Sequence, residues 1–182
     1  MFHVTRRLLL RPAWPEDAPA IFAGIADEGV VRNLARAPWP YGMADAHRFV
    51  ARQPAPLFPR FLVTLPGGAG SETIGCIGID GMDDGGVELG YWIARPHWGR
   101  GYATEAARGA LAVARLLGHS RLTAGHFTDN PASGKVLRKI GFRPTGRVVK
   151  RFSCGRGTEA DCVEMTIDLD GVMDEPLPLQ AA

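Results

Sequence analysis

Cysteines and long apolar stretches are scarce in this 182-residue sequence. The three cysteines, Cys76, Cys154 and Cys162, are an odd number, and they show neither Cys-x-x-Cys spacing nor a nearby histidine pair. Secreted disulfide scaffolds and structural zinc sites are built on such patterns. We therefore predict reduced thiols and no bound metal.

The sequence also has little excess charge, and its pattern predicts neither a signal peptide nor a membrane helix. Its beginning does not show the charged-then-apolar order of a signal peptide, and no apolar run approaches the ~20 residues that a membrane helix needs. The formal net charge is +2, and the arginines are scattered, whereas nucleic-acid binding calls for a concentrated basic stripe. We expect a cytoplasmic protein without a membrane or nucleic-acid partner.

The remaining composition is that of an ordinary globular protein, with 46% hydrophobic and 22% charged residues. The length suits one domain with an adequate core. No internal repeat or linker divides the chain. We predict a single mixed α/β domain over residues 1–182, with a loose, proline-rich tail over residues 174–182.

Hydrophobic periodicity and turn residues predict the order of the elements. Tight spacing between residues 60 and 94 favours an antiparallel meander. The predicted strands cover residues 4–11, 60–65, 73–80, 87–94, 122–127, 147–152 and 162–169. One predicted helix begins at residue 14, and the others cover residues 27–34, 44–53, 102–117 and 131–140.

The most informative segment is Ile93-Ala-Arg-Pro-His-Trp-Gly-Arg-Gly-Tyr-Ala-Thr-Glu-Ala106. A strand pattern ends at Pro96, two glycines follow, and an amphipathic helix pattern begins at once. This arrangement directs backbone N–H groups to the positive end of a helix dipole, where phosphate oxygens bind. A Rossmann fingerprint or a Walker loop does not fit, because the required acidic residue and the Gly-Lys-Ser/Thr are missing. A tight turn without a ligand stays a possible alternative.

A second segment favours the phosphate-binding loop over a turn without a ligand. Gly99-Arg-Gly-Tyr-Ala-Thr-Glu-Ala, followed by Asn130-Pro-Ala-Ser and Leu137-Arg-Lys-Ile-Gly-Phe, resembles the GNAT superfamily of acetyl-CoA-dependent N-acetyltransferases. The opening Thr5-Arg-Arg-Leu-Leu-Leu-Arg-Pro resembles its ribosomal-protein-alanine N-acetyltransferase branch. The likeness extends over residues 4–169. Trp98 stands where many members carry Gln or Arg.

The resemblance implies a GNAT fold, an α/β arrangement in which helices flank one mixed, mainly antiparallel sheet. A V-shaped cofactor cleft is expected between neighbouring strands. It implies that acetyl-CoA binds with its pantetheine arm along a strand end and its pyrophosphate on the loop. The implied cofactor-binding residues are Tyr91, Trp92, Ile93, Trp98, Gly99, Arg100, Gly101, Tyr102, Ala103, Thr104, Asn130 and Ser133.

Candidate catalytic residues lie near this cleft. Strand alternation puts Glu88, Gly90 and Trp92 on one face, and a carboxylate at Glu88 is our first choice of general base. His126 is a second candidate base. Many relatives carry a tyrosine general acid where this chain has Leu137, so Ser133 or water must donate the proton, or the thiolate leaves unaided.

The acceptor is expected to be a primary amine. A protein N-terminal α-amine titrates near ~7.7–8.0, against ~10.4 for lysine, so it asks less of a base. The branch resemblance favours such an N-terminus, and an aminoglycoside or polyamine is the alternative. Trp39 and Tyr41 are candidate walls of the acceptor pocket.

Three further questions stay open in the sequence. Direct attack in a ternary complex is preferred over an acetyl-cysteine, although Cys76 lies on a neighbouring predicted strand. A non-catalytic acyl-CoA sensor would keep the phosphate loop without a competent base. The oligomeric state is not determined by the sequence, and a dimer is among the possibilities.

Overall fold

The computed structural model describes residues 1–67 and 70–170. The tail predicted to be loose, residues 174–182, lies outside the described residues. The strands are β1 (His3–Val4), β2 (Leu9–Arg11), β3 (Arg60–Gly67), β4 (Gly70–Gly81), β5 (Val87–Ile93), β6 (Arg121–Phe127), β7 (Arg143–Ser153) and β8 (Thr158–Asp168). The α-helices are α1 (Ala18–Ile25), α2 (Glu28–Val31), α3 (Met43–Ala51), α4 (Tyr102–Leu116) and α5 (Pro131–Lys139).

The eight strands form one sheet in the order β1-β2-β3-β4-β5-β6-β8-β7. Every neighbouring pair is antiparallel except β5 and β6, which run parallel. The predicted mixed, mainly antiparallel sheet and the meander β3-β4-β5 are thereby confirmed.

The first predicted strand is wrong as one element. Residues 4–11 contain a turn in which Thr5 N–H donates to Leu8 O at 2.9 Å, and the Thr5 hydroxyl accepts from Leu8 N–H at 3.1 Å. β1 and β2 therefore pair with each other as a short hairpin. A threonine side chain that satisfies its own turn competes with a continuous ladder.

Helices cover both faces of the sheet, and the alternation of side chains along each strand divides the core in two. One cluster joins the sheet to α4 and α5 and includes Phe61, Ile77 and Leu89. The other joins it to α1, α2 and α3 and includes Leu62 and Trp92. Side chains on opposite faces of one strand therefore pack against different helix layers. β5 is packed on both faces in this way, with Leu89 in one cluster and Trp92 in the other.

β5 and β6 separate almost as soon as they meet. Their ladder contains the single partner pair Glu88 and Thr123, and the Thr123 hydroxyl adds a 3.1 Å hydrogen bond to Val87 O. Beyond this point β6 is held by β8, and β5 is held by β4. The predicted V-shaped cleft between neighbouring strands is confirmed. In the described part of the chain, no helix has the length and apolar character that crossing a membrane requires.

Candidate active site

The loop before α4 has the geometry of an anion-binding turn. Gly99 has φ +75° and Gly101 has φ +80°, in the left-handed region that glycine adopts without strain. Gly101 is the N-cap of α4, and no side chain caps the helix. Within residues 1–67 and 70–170, the N–H groups of residues 99–104 make no hydrogen bond, whereas Glu105 N–H already bonds Gly101 O at 3.1 Å. These free donors lie at the positive end of a fifteen-residue helix.

The N-terminal hairpin supports this loop from behind. The Glu105 carboxylate accepts from the Thr5 hydroxyl, the Arg7 backbone N–H and Arg7 Nε, each at 2.7 Å. Arg7 also donates to Arg100 O at 3.1 Å, and its guanidinium lies 4.6 Å from the centre of the Tyr102 ring. Burial opposes ionisation of Glu105, but the hydrogen bonds from Thr5 and Arg7 hold its pKa below the ordinary value. Glu105 therefore anchors a neighbouring segment.

The cleft edge of β5 offers main-chain groups near the loop. Ala94 N–H donates to Ile74 O at 2.8 Å. Because alternate residues direct their N–H and C=O groups to opposite edges, the N–H of Ile93 faces away from β4, toward the cleft. The N–H and C=O groups of Trp92 point toward β4 instead. The indole N–H of Trp98 donates to Ile93 O at 2.6 Å, which joins the loop to the strand end.

A hydroxyl pair joins the two walls of the cleft. The Tyr91 hydroxyl on β5 lies 2.8 Å from Ser133 Oγ on α5. Asn130 caps α5 by accepting from Ser133 N–H at 3.3 Å. Burial raises the pKa of Tyr91 to about 12, although the Ser133 hydrogen bond opposes the shift. Tyr91 therefore stays protonated near neutral pH, and the pair holds protons that can be donated in the cleft.

His126 lies against the first turn of α5. Its Nδ1 is 3.0 Å from Phe127 O, which assigns the proton to Nδ1 and leaves Nε2 as an acceptor. In the described part of the chain, Nε2 is buried without a partner. A Cβ at position 134 would lie 2.6 Å from Nε2, so Gly134 is what allows the ring to fit.

Glu88 is held by arginines where β5 and β6 separate. Its two oxygens face the two terminal nitrogens of Arg151, one of them at 2.6 Å, and Arg36 lies 3.8 Å away. The Glu88 side chain is 11% exposed. The ion pair fixes the orientation of the carboxylate and engages both of its oxygens.

One cavity of about 1000 Å³ connects these groups. Glu88, Tyr91, Trp92, Ile93, Trp98, Gly99, Ala103, His126, Asn130 and Ser133 line it, so most of the predicted site residues come together. Tyr41 also lines the cavity and is 7% exposed. Trp39 is 41% exposed and does not line it, contrary to our expectation. Its loop turns Tyr41 into the core of the α1–α3 face and Trp39 to the surface.

Two cysteines face the same cavity as neutral thiols. Burial raises the pKa of Cys76 to about 12. Burial also raises the pKa of Cys162, although the Arg151 guanidinium opposes the shift. A thiol is a much weaker nucleophile than a thiolate. Among the residues that the structure describes, no group of histidine, cysteine and carboxylate side chains could hold a metal ion.

Sequence reasoning missed two residues, Arg7 and Arg151, and one contact, the one between the Tyr91 phenol and Ser133. Arg7 supports the loop across more than ninety residues, the phenol of Tyr91 meets Ser133 across forty-two, and Arg151 meets Glu88 across sixty-three. No local motif marks these contacts, because each depends on elements that meet only in the folded sheet.

Comparisons of this chain with known protein families and with individual relatives identify its family. The acetyltransferase (GNAT) domain family matches residues 7–143. The chain is 31% identical over 170 residues to the uncharacterized N-acetyltransferase YoaA of Bacillus subtilis (strain 168), covering 86% of this chain and 90% of that protein.

Solved structures show the same fold. A GNAT-family acetyltransferase from Bacillus anthracis superposes with a TM-score of 0.79 at 24% identity, over 93% of this chain and 99% of that one. RimL, a ribosomal L7/L12 alpha-N-protein acetyltransferase solved with coenzyme A, superposes with a TM-score of 0.75 at 16% identity. That match also covers 93% of this chain and 99% of the other.

Proposed function

The chain belongs to the GNAT acetyltransferase family and is an N-acetyltransferase, and we propose that it transfers the acetyl group of acetyl-CoA to an α-amine by direct attack in a ternary complex. One observation carries this proposal. Six consecutive backbone amides, those of residues 99–104, have no protein partner within the described residues. Two of these residues, Gly99 and Ala103, line the cavity that Glu88 and Ser133 also line.

The residues present fit acetyl-CoA. The free amides at the start of α4 would hold the linked phosphates, and the cleft edge of β5 would pair with an extended, amide-bearing arm as an added strand does. Arg7 brings positive charge to the same loop. When bound, acetyl-CoA supplies an acetyl group that its thioester activates toward amines.

The residues around the cleft supply the other requirements. The Ile93 N–H is a donor for the acetyl carbonyl oxygen, a kind of preorganised contact that is worth a few kcal/mol in other enzymes. The Ser133 hydroxyl, which lies 2.8 Å from the Tyr91 phenol, would donate a proton to the sulfur of the bound cofactor as the thiol leaves. This pair takes the place of the tyrosine that Leu137 replaces.

Glu88 is our proposed general base. Its carboxylate is fixed by Arg151 at the mouth of the strand cleft, where it could accept the ammonium proton through a water. An α-amine titrates near ~7.7–8.0 and a lysine near ~10.4, so an α-amine is more often neutral near pH 7 and demands less of a general base. His126 remains the second candidate, because Nε2 is an acceptor without a partner in the described chain.

Direct attack is favoured over a covalent cysteine intermediate. Cys76 and Cys162 both face the cavity, but burial keeps both thiols protonated. Holding the amine against the thioester then supplies most of the acceleration, on the order of 7–11 kcal/mol for a well-oriented pair.

A thiol-release assay tests the proposed function. Purified protein with acetyl-CoA is offered peptides with free N-terminal alanine or serine, the same peptides with blocked N-termini, an aminoglycoside and spermidine. We expect coenzyme A release with at least one free α-amine and none with its blocked counterpart. Binding of coenzyme A without turnover of any amine would instead identify a non-catalytic acyl-CoA sensor.

A further inference from the structure

We propose that the amine acceptor carries a carboxylate, and that Arg48 on α3 and Arg52, the residue that follows this helix, bind it. The inference rests on the proposed acetyl transfer to an α-amine and adds the chemical class of the acceptor. It depends on the charged residues that α3 and its surroundings contribute to the cavity lining.

Cationic side chains outnumber anionic ones around the cavity. In the described chain, its lining includes five arginines and three carboxylates and no lysine. The arginines are Arg36, Arg48, Arg52, Arg60 and Arg151, and the carboxylates are Asp45, Asp80 and Glu88. Two positive charges are therefore not matched by lining carboxylates.

Each of the three carboxylates is already engaged by arginine. Asp80 accepts from Arg36 at 3.0 Å and from Arg60 at 3.2 Å. Glu88 faces Arg151 with both oxygens. Asp45 pairs with Arg48 and also accepts from Gly42 N–H at 2.8 Å. A cationic acceptor would have to displace an arginine to reach any of them.

The arginines, in contrast, keep unused donors. A guanidinium has five N–H donors, and Arg52 makes no ion pair or hydrogen bond through its side chain within residues 1–67 and 70–170. Arg48 lies four residues before it, in the last turn of α3, and Arg52 is the C-cap of that helix. Both residues line the cavity. The Arg48 side chain is 72% exposed and forms one ion pair, with Asp45.

Apolar surface completes the recognition site. The ring of Phe49 lies 5.0 Å below the Arg60 guanidinium, and Phe49 and Tyr41 line the cavity beside the arginines. A molecule with an amine at the thioester end and a carboxylate at the α3 end would match this distribution of charge. A polyamine, cationic along its whole length, would meet repulsion there.

Two sources share this chemistry, namely a free amino acid and a peptide N-terminus followed by an acidic residue. Both are α-amines with a nearby carboxylate. The experiment measures kcat/KM for matched pairs that differ only in that group. The first arm compares free L-amino acids with their α-amides, and the second compares amidated peptides that begin Ala-Glu with those that begin Ala-Gln.

We expect the carboxylate member to be favoured by about 10-fold or more in one arm, since hydrogen bonds between two charged groups are stronger than those to a neutral amide. In Arg52→Gln the preference should fall below about 3-fold. Arg52→Lys keeps the charge and should keep most of the preference. Arg121→Gln removes an exposed arginine that pairs with Asp168 outside the cavity, and it should leave the preference unchanged.

Equal rates within both sets of pairs, or faster turnover of spermidine, would overturn the proposal. A preference that persists in both Arg52→Gln and Arg48→Gln would also overturn it. If no amine is acetylated, the proposed function fails, and calorimetry of the same acid and amide pairs against protein saturated with coenzyme A still decides the anion preference. Tighter binding of the acids that disappears in Arg52→Gln supports it, and equal binding contradicts it.

Discussion

The two halves of the cavity are built from different parts of the chain. The loop half presents the backbone amides of residues 99–104, whose arrangement depends on the left-handed conformations of Gly99 and Gly101. The other half, which we call the α3 half, presents charged side chains from α3 and its surroundings, namely Arg36, Asp45, Arg48, Arg52, Arg60 and Asp80, and several of these are held in mutual ion pairs. A main-chain site tolerates changes of side chain but not of backbone conformation, whereas a side-chain site responds to single charges. This difference can be tested by substitution in each half.

The largest expected effect is on catalysis. Glu88→Gln should lower kcat by about 10²–10⁴-fold, the usual contribution of a general base, with coenzyme A affinity changed less than about 3-fold. Asp80→Asn is the matched control, because it removes a cavity carboxylate that also pairs with Arg36. We expect a much smaller loss of kcat there. Equal losses in the two variants would mean that Glu88 acts only through the charge network.

His126→Gln sharpens the choice between the two candidate bases. If Glu88 is the base, this variant should lose less than about 10-fold in kcat, because the histidine then contributes packing and one hydrogen bond. A loss in steady-state assays as large as that of Glu88→Gln would transfer the role to His126.

The next effect is on the cofactor loop. The double variant Gly99→Ala/Gly101→Ala should weaken coenzyme A binding on the order of 100-fold, since each left-handed alanine costs about 1–2 kcal/mol. Calorimetry provides the measurement. Gly118→Ala, which has φ +83° at the far end of α4, introduces comparable strain and should leave the affinity unchanged. A similar loss in both variants would indicate general destabilisation of α4.

Support of the loop from the hairpin is expected to matter less. Arg7→Gln removes the side-chain contacts to Glu105 and Arg100 O and keeps the backbone contact to Glu105. Coenzyme A affinity should fall about 5- to 10-fold, since hydrogen bonds to charged groups contribute about 1.5–3 kcal/mol and part of the support remains. Arg121→Gln serves as the control for loss of an exposed arginine. Unchanged affinity in Arg7→Gln would show that the loop keeps its shape without the hairpin.

The smallest effect concerns the hydroxyl pair. Tyr91→Phe and Ser133→Ala should each lower kcat about 2- to 10-fold, the range of a neutral hydrogen bond, and the double variant should lose less than the product. Because the pKa of Tyr91 is raised to about 12, the phenol stays protonated below that value. We therefore expect no decrease in activity between pH 7 and 10 from deprotonation of Tyr91. A basic limb in that range that Tyr91→Phe abolishes would contradict this role.

The sequence could predict the loop half because its information is local. Two glycines between a strand pattern and a helix pattern predict a turn with positive φ angles, and α4 begins at Tyr102 as predicted. The α3 half could not be predicted. Arg36, Arg60 and Asp80 come from three separate segments and meet only across the folded sheet.

The failures have the same physical origin. Residues 4–11 alternate like one strand, but Thr5 satisfies a turn within them. Trp39 and Tyr41 stand two residues apart in one loop, and only tertiary packing decides which of them is buried. Periodicity describes which face a regular element buries, and it says nothing about the orientation of side chains in a loop.

Amide chemical shifts test the central claim most directly. In ¹⁵N-labelled protein titrated with coenzyme A, the largest shifts should fall on Gly99 through Thr104, and pantetheine, which lacks the pyrophosphate, should leave those resonances nearly unmoved. Gly85 and Gly118 serve as distant reference amides. If coenzyme A binds while the amides of residues 99–104 keep their free-state shifts, the main-chain phosphate site is contradicted.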